Sequence, residues 1–144
     1  MNDLYDTDIL EWSEHQAEAL RRVAANDRLN SLSPDWPHII EEIQSVGRDQ
    51  LHAVESLLVQ ALLHMLKAQA WPNSSAAPGW RAEAIRFRGD AAGRFSPSMR
   101  QRLDVARLYA RALRAMPETI DNTTPLPVPA ACEVTLDDLL TESL

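Results

Sequence analysis

The residues best suited to chemistry lie in one long, leucine-rich stretch of the chain. Glu42, Glu55 and His64 can exchange protons, and they form a weak candidate set for general acid–base catalysis. On a helical wheel Glu42 points outward, whereas Glu55 and His64 border opposite edges of an apolar stripe. The structural interpretations are that Glu55 forms an ion pair with Arg48 and that His64 is hydrogen-bonded to a carbonyl. We expect no catalytic residue, and a hydrolase-like or metal-dependent enzyme is the third hypothesis.

Two histidine–glutamate pairs raise the question of a metal site. His15 and Glu18 are three residues apart, as are His52 and Glu55, so each pair shares a helix face. Dimetal helix bundles use the opposite order, with glutamate before histidine, and His15 and Glu18 lie off the apolar stripe of their helix. The single cysteine, Cys132, gives no thiolate cluster, and four scattered glycines give no phosphate-binding loop. The sequence predicts no metal and no cofactor.

Arginine is concentrated in the second half of the chain. Residues 81–114 contain nine arginines against three acidic side chains, whereas residues 1–60 carry 12 acidic and 4 basic ones. Arg100, Arg107, Arg111 and Arg114 lie within about 60° on the expected fourth helix. This stripe could follow a phosphate backbone. The candidate binding residues are Arg81, Arg88, Arg100, Arg107, Arg111 and Arg114. The net charge of −7 opposes nucleic acid, so contact with acidic helices of the same or another protein molecule is the preferred interpretation.

The spacing of apolar residues predicts an all-α fold, a bundle of about four main helices. The first is expected over residues 7–26, capped by Thr7 or Asp8. Its apolar stripe consists of Ile9, Trp12, Gln16, Ala19, Leu20 and Val23. A long second helix over residues 36–70 follows, and Gly47 in its interior indicates a close crossing or a kink.

Two further helices and a tail complete the predicted order. The third helix is expected over residues 79–93, and Ser96 followed by Pro97 is a start signal for a fourth over 97–116. Four prolines favour an extended course for residues 117–134. Thr135 and Asp138 then predict a capped, short last helix.

Length and composition limit the class of protein. With 144 residues, of which 45% are hydrophobic, we expect a single helical domain over residues 1–144, with the bundle over 7–116 and the tail over 117–144. No apolar run reaches the length of about 20 residues that crosses a membrane, and no export signal is recognisable. A cytoplasmic protein is the simplest expectation.

The order of several short motifs resembles the bacterial domain-of-unknown-function family twenty-nine over nearly the whole chain. The motifs are LYDTDILEW, IIEEIQSVGR, LLHMLK, GWRAEAI, SPSMRQRL and CEVTLDDLL. This family is all-helical and functionally uncharacterised, so the resemblance implies a fold without supplying a chemistry. It also implies a set of family-motif residues: Tyr5, Asp8, Trp12, Glu41, Glu42, Gly47, Arg48, His64, Lys67, Trp80 and Arg81.

The expected function follows from the absence of an enzyme motif. We expect a small, non-catalytic helical protein that acts by protein–protein contact, as a homo-oligomer or with a protein partner. Nucleic-acid binding through the arginines of residues 81–114 is the alternative. No membrane contact is expected.

Overall fold

Helices make up most of the chain in the computed structural model, which describes residues 3–27 and 32–141. The elements are α1 (Leu4–Thr7), α2 (Ile9–Asn26), α3 (Trp36–Ala70), α4 (Ala77–Arg94), a 3-10 helix (Pro97–Gln101), α5 (Val105–Arg114) and α6 (Leu136–Leu140). The described residues contain no β-strand, only an isolated bridge between Ile120 and Thr123. The all-α prediction, with four main helices and a long second one, is confirmed. Among the described helices, none has both the length and the apolarity to cross a membrane.

Internal contacts divide the chain into two compact units. The first consists of Met1–His52 and Phe95–Arg102, and the second of Ala53–Arg94 and Leu103–Leu144. Helix α3 therefore supplies residues to both units. The single domain expected over residues 1–144 stays a prediction.

Asp8 separates α1 from α2 in the first unit. Its backbone is non-helical (φ −154°, ψ 86°), and its carboxylate caps α2 by accepting the Glu11 N–H at 3.0 Å. The same buried carboxylate accepts the backbone N–H and the hydroxyl of Ser98, at 2.7 and 2.6 Å. Burial acts to raise the pKa of Asp8, but these hydrogen bonds outweigh burial and hold the pKa below its ordinary value. The predicted cap at Asp8 is confirmed, and it also ties α2 to the 3-10 helix.

Helix α2 and the first part of α3 form an antiparallel hairpin. Its closest crossing is at Gly47, where an added Cβ would meet Ser13 Oγ at 2.1 Å and Leu10 Cα at 2.8 Å. Near the other end, Trp36 Nε1 donates a hydrogen bond to the Asp27 carboxylate at 2.8 Å. The close crossing expected at Gly47 is confirmed. Only glycine fits there, because every other residue carries a Cβ that this approach excludes.

The second unit contains most of the large buried side chains. Leu58, Leu62 and Leu66 of α3 are almost completely buried, as are Leu108 of α5 and Leu139 of α6. The short last helix is confirmed: Thr135 and Asp138 form the reciprocal hydrogen bonds of a capping box at the start of α6.

Two buried aromatic side chains attach the proline-containing tail to the second unit. The Tyr109 hydroxyl donates a hydrogen bond to the carbonyl of Pro129, and Trp71 Nε1 donates one to the carbonyl of Thr123 at 2.8 Å. Immediately before Thr123, Asp121 and Asn122 form a tight turn with φ of 51° and 60°. Aspartate and asparagine tolerate this left-handed conformation better than other side chains do.

The prediction of one helix over residues 97–116 is wrong in its first part. Residues Pro97–Gln101 form a 3-10 helix, and α5 begins only after Asp104, whose carboxylate accepts the Arg107 N–H at 3.2 Å. The physical reason is that Asp104 acts as an N-cap with extended backbone angles (φ −103°, ψ 96°), which cannot occur inside a helix.

Candidate interaction surface

Glu55 takes part in an ion pair, but with a different arginine from the one expected. Its carboxylate is buried and pairs with Arg107 of α5. Arg48 instead bonds Glu41 at 2.8 Å, because Glu41 lies two turns earlier on the same face of α3. The predicted pairing of Glu55 with Arg48 is wrong. Glu55 does form an ion pair, as the structural interpretation expected. Its partner is Arg107, on a different helix of the second unit.

His64 is held by its own helix. Its Nδ1 lies 2.7 Å from the carbonyl of Gln60, and its ring packs 5.3 Å from the ring of Phe87. A carbonyl only accepts hydrogen bonds, so Nδ1 is the donor in this contact. Glu55 is nine residues earlier, roughly 13 Å along the helix axis. Glu55 and His64 therefore do not converge, and Glu42 is exposed on the α3 segment of the first unit.

The histidine–glutamate pairs are largely exposed to solvent. His15, Glu18 and His52 are all exposed. Within the described residues there is no group of three or more histidine, cysteine or acidic side chains that could hold a metal ion. The solvent-facing orientation expected for His15 and Glu18 is confirmed.

Arg88, one of the candidate binding residues, is buried and bonded inside the second unit. Its guanidinium donates to the carbonyls of Asp138 at 2.9 Å, Leu139 at 3.1 Å and Thr141. These carbonyls lie at the C-terminal end of α6, where a helix leaves them unpaired and where a cation is favourable. Burial lowers the pKa of Arg88 from its ordinary value. Arg88 is therefore a cap for α6, and its donors are not available to a phosphate.

The predicted arginine stripe is not continuous. Arg100 belongs to the 3-10 helix of the first unit, where its guanidinium lies 5.5 Å over the ring of Phe95. The other three stripe residues are on α5, and the break before that helix removes the common register that the stripe requires. Arg107 is paired with Glu55. Arg81 and Arg114 are exposed and Arg111 is half-buried.

The apolar stripe predicted for the first helix exists, but it lies to one side of the most buried face: Ile9, Trp12 and Leu20 are half-buried, whereas Gln16 and Ala19 are exposed. The side chains of α2 that are buried are Leu10, Ser13 and Ala17, on average about 100° around the helix from the centre of the predicted stripe. Val23, in that stripe, exposes 53% of its surface. Leu10 and Ser13 occupy the close crossing at Gly47, so the residues of the predicted stripe lie beside this contact. The core position predicted for this stripe is wrong.

Helix α3 exposes a second apolar row. Ile39, Ile43 and Val46 are spaced by four and three residues, so they share one face of the helix. Ile39 exposes 38% and Val46 39% of its surface, and Ile43 is half-buried. No side chain in residues 18–27 or 32–46 is buried.

Two hydrogen bonds establish that both rows lie on the same side of the hairpin. The bond between Asp27 and Trp36 joins the helices on one side, and Arg21 bonds Gln44 at 2.9 Å on the other. On helical wheels, the exposed row of α2 lies on the Asp27 side and that of α3 on the Trp36 side. We call this common surface the hairpin groove; it consists of Leu20, Val23, Ile39, Ile43 and Val46.

One edge of the hairpin groove is acidic. Asp35, Glu42 and Asp49 recur every seven residues beside the apolar row of α3, and all three are exposed. Asp35 lies 2.6 Å from the ring of His38; this hydrogen bond lowers the pKa of the aspartate and raises that of the histidine. On the α2 side, Arg22 and Asp27 line a cavity together with Val23, and Arg22 lies 3.5 Å from the Glu18 carboxylate.

Comparison with known proteins connects this architecture to a family. The family model for the domain of unknown function DUF29 matches residues 4–144. The chain belongs to this family. A crystal structure of an alpha-helical protein of unknown function from Rhodospirillum rubrum has a similar fold, with a TM-score of 0.76, 24% identity, and coverage of 99% of this chain and 92% of that one. None of the curated proteins matches the chain.

Most DUF29 motif residues have structural roles in this chain. The Tyr5 ring packs edge-on against Trp12, with ring centroids 4.9 Å apart. The Lys67 ammonium lies 4.9 Å over the ring of Trp80. Asp8, Gly47, Glu41, Arg48 and His64 make the contacts described above. Glu42 is different, because it is exposed beside the hairpin groove, and Arg81 is also exposed.

Sequence reasoning identified Glu42 but missed the groove residues as a surface. Val23 belongs to the stripe predicted for the first helix, whereas Ile39 and Val46 have no predicted role. The spacing of the α3 row is visible in the sequence. Its exposure depends on the crossing at Gly47 and could not be read from spacing alone.

Proposed function

We propose that this DUF29 protein is a non-catalytic protein–protein interaction module that binds its partner through the hairpin groove. The observation that carries this proposal is the exposure of both apolar rows on one side of two adjacent helices. A pair of helices cannot bury two apolar rows that point to the same side, because burial requires a further layer. A partner protein supplies that layer.

Burial of such side chains favours association. Removing apolar surface from water contributes roughly 25 cal/mol per Å² before the entropic costs of association are subtracted. A helix that places its apolar face into a groove between two others is a common recognition mode. Both the shape and the composition of the hairpin groove suit it.

Nucleic-acid binding receives less support. Arg88 and Arg107 are occupied by Asp138, Leu139, Thr141 and Glu55. The remaining candidate arginines lie on three different elements. A phosphate backbone needs several cations in register along one path.

The proposal is tested by placing a charge in the groove. The full chain is affinity-purified from its host as wild type, as Val46→Asp and as Ile39→Asp, and co-purified proteins are quantified. We expect a stoichiometric partner with the wild type and at least a tenfold loss with either variant, because a carboxylate in an apolar contact is costly to desolvate.

The matched control is Ile85→Asp. Ile85 is also an exposed apolar side chain, at 58%, but it lies on α4 in the second unit. This variant should retain the partner. Equal recovery of the partner by all three variants would rule out the hairpin groove as the binding surface, as would a wild-type protein that is monomeric and without a partner.

A further inference from the structure

We infer that the partner contributes a helix with lysine or arginine residues beside an apolar seam. This inference rests on the proposed function, since it concerns the occupant of the hairpin groove. The apolar row of α3 repeats with the spacing of four and three that matches a helix packed alongside it. A straight, helical occupant therefore fits better than a loop.

The charge of the occupant follows from the acidic edge. Asp35, Glu42 and Asp49 are seven residues apart, so they form a line parallel to the groove. In packed helices, side chains flanking an apolar seam meet the flanking side chains of the neighbouring helix, and opposite charges are favoured there. Lysine or arginine at those positions of the partner would face this line.

In the described part of the hairpin, basic side chains offset this edge only in part: His38 is bonded to Asp35 and interacts electrostatically with Glu42, as Arg48 does with Asp49. Arg21 and Arg22 lie 3.6 and 3.5 Å from the Glu18 carboxylate. Arg48 is bonded to Glu41. In residues 3–27 and 32–141, no ion pair involves Glu42 or Asp49.

A second copy of the chain is a poorer occupant. If two copies packed groove to groove, each would bring its own acidic edge into the interface. Residues 1–60 carry 12 acidic against 4 basic side chains, so the surrounding field would also be repulsive. The charges therefore favour a different, basic partner.

The test selects, from a library of designed helices, those that bind the intact protein. A displayed library of four-heptad helices has a fixed isoleucine and leucine seam, and its flanking positions are randomised equally among lysine, glutamate and glutamine. It is selected against the wild type and against a Glu42→Lys, Asp49→Lys double variant. Both positions are exposed, and circular dichroism checks that the variant keeps the fold. We expect lysine to be enriched at least threefold over glutamate on the wild type, and glutamate over lysine on the double variant.

The outcomes separate this inference from the proposed function. Selected helices should lose at least tenfold in affinity for Val46→Asp; helices that bind Val46→Asp as well as wild type would overturn the proposed function. Helices that need Val46 but show the same flanking composition on both targets would overturn only the basic-partner inference. Light scattering that shows a wild-type dimer, lost in Val46→Asp, would replace the basic partner with a second copy.

Discussion

At Gly47 the distance between two helix backbones is set by a missing Cβ atom. The approach places Leu10 Cα and Ser13 Oγ where a methyl group would otherwise lie. As a result, Leu10 and Ser13 of α2 occupy the crossing, and the stripe that contains Val23 lies to one side of it. The conformational cost of glycine in a helix, about 1 kcal/mol, is offset here by helix packing. One residue thus helps to determine which face of the hairpin is available to a partner.

Replacing Gly47 by alanine should therefore destabilise the protein. Ser13 Oγ can rotate, but the Leu10 backbone at 2.8 Å cannot move without shifting α2. We expect the free energy of unfolding to fall by about 1–3 kcal/mol, as in other overpacked cores, measured by urea denaturation. Gly89→Ala is the matched control: nothing lies within 4 Å of the added methyl group, so a gain of about 0.5–1 kcal/mol is expected from helix propensity. A stabilised Gly47→Ala variant would contradict the close crossing.

Asp8 should make stability depend on pH. Its folded pKa is below the ordinary value because its hydrogen bonds to Ser98 and Glu11 outweigh burial. The ionised carboxylate therefore contributes stability that is fully present above the unfolded pKa of about 3.9 and is lost as pH falls through the folded pKa. Asp8→Asn should cost about 1–3 kcal/mol at neutral pH, and its difference from the wild type should shrink below about pH 4. The control variant is Asp6→Asn, at an exposed position. If it lowers the free energy of unfolding as much as Asp8→Asn does, Asp8 has no special role.

At the scale of elements, a short helix depends on one side chain of another helix. The five residues of α6 are too few to be stable alone. They are held by the burial of Leu139 and by the three carbonyls that Arg88 bonds. The attachment of α6 is therefore expected to respond to substitution of Arg88.

Arg88→Met should loosen α6 while preserving α4. Methionine fills part of the same volume but leaves the carbonyls unpaired, so we expect a loss of about 3 kcal/mol in the free energy of unfolding. Amide hydrogen exchange in residues 136–140 should become at least tenfold faster. Arg81→Met removes an exposed arginine from the same helix and should change neither quantity. Unchanged exchange in the Arg88→Met variant would show that Leu139 alone holds α6.

The elements could be predicted from the sequence where a local signal decides them. The bounds of α3, the cap at Asp8 and the capping box at Thr135 all depend on neighbouring residues, and all were correct. The helix expected over 97–116 failed because Asp104 was not recognised as a second start signal. The face that α2 buries could not be predicted, since it depends on Gly47, more than thirty residues away along the chain.

At the scale of the whole molecule, burial is distributed unevenly. The second unit has many fully buried apolar side chains from α3 to α6, whereas residues 18–27 and 32–46 have none. Regions with few buried apolar contacts open at a lower free energy than the rest of a protein. A surface that must accept a partner is expected to come from such a region.

Amide hydrogen exchange should reveal this difference directly. In the free protein, we expect residues 18–26 and 36–46 to exchange at least tenfold faster than residues 54–68, although two of these three segments lie on the same helix, α3. Because hydrogen bonding is helical in all of them, the difference would come from tertiary packing. A helix bound in the hairpin groove should slow exchange in residues 18–26 and 36–46. The expected factor is the ratio of the helix concentration to its dissociation constant, and exchange in residues 54–68 should stay unchanged. Uniform exchange along α3 in the free protein would mean that the hairpin is stable without a partner, and the main argument for its binding role would be lost.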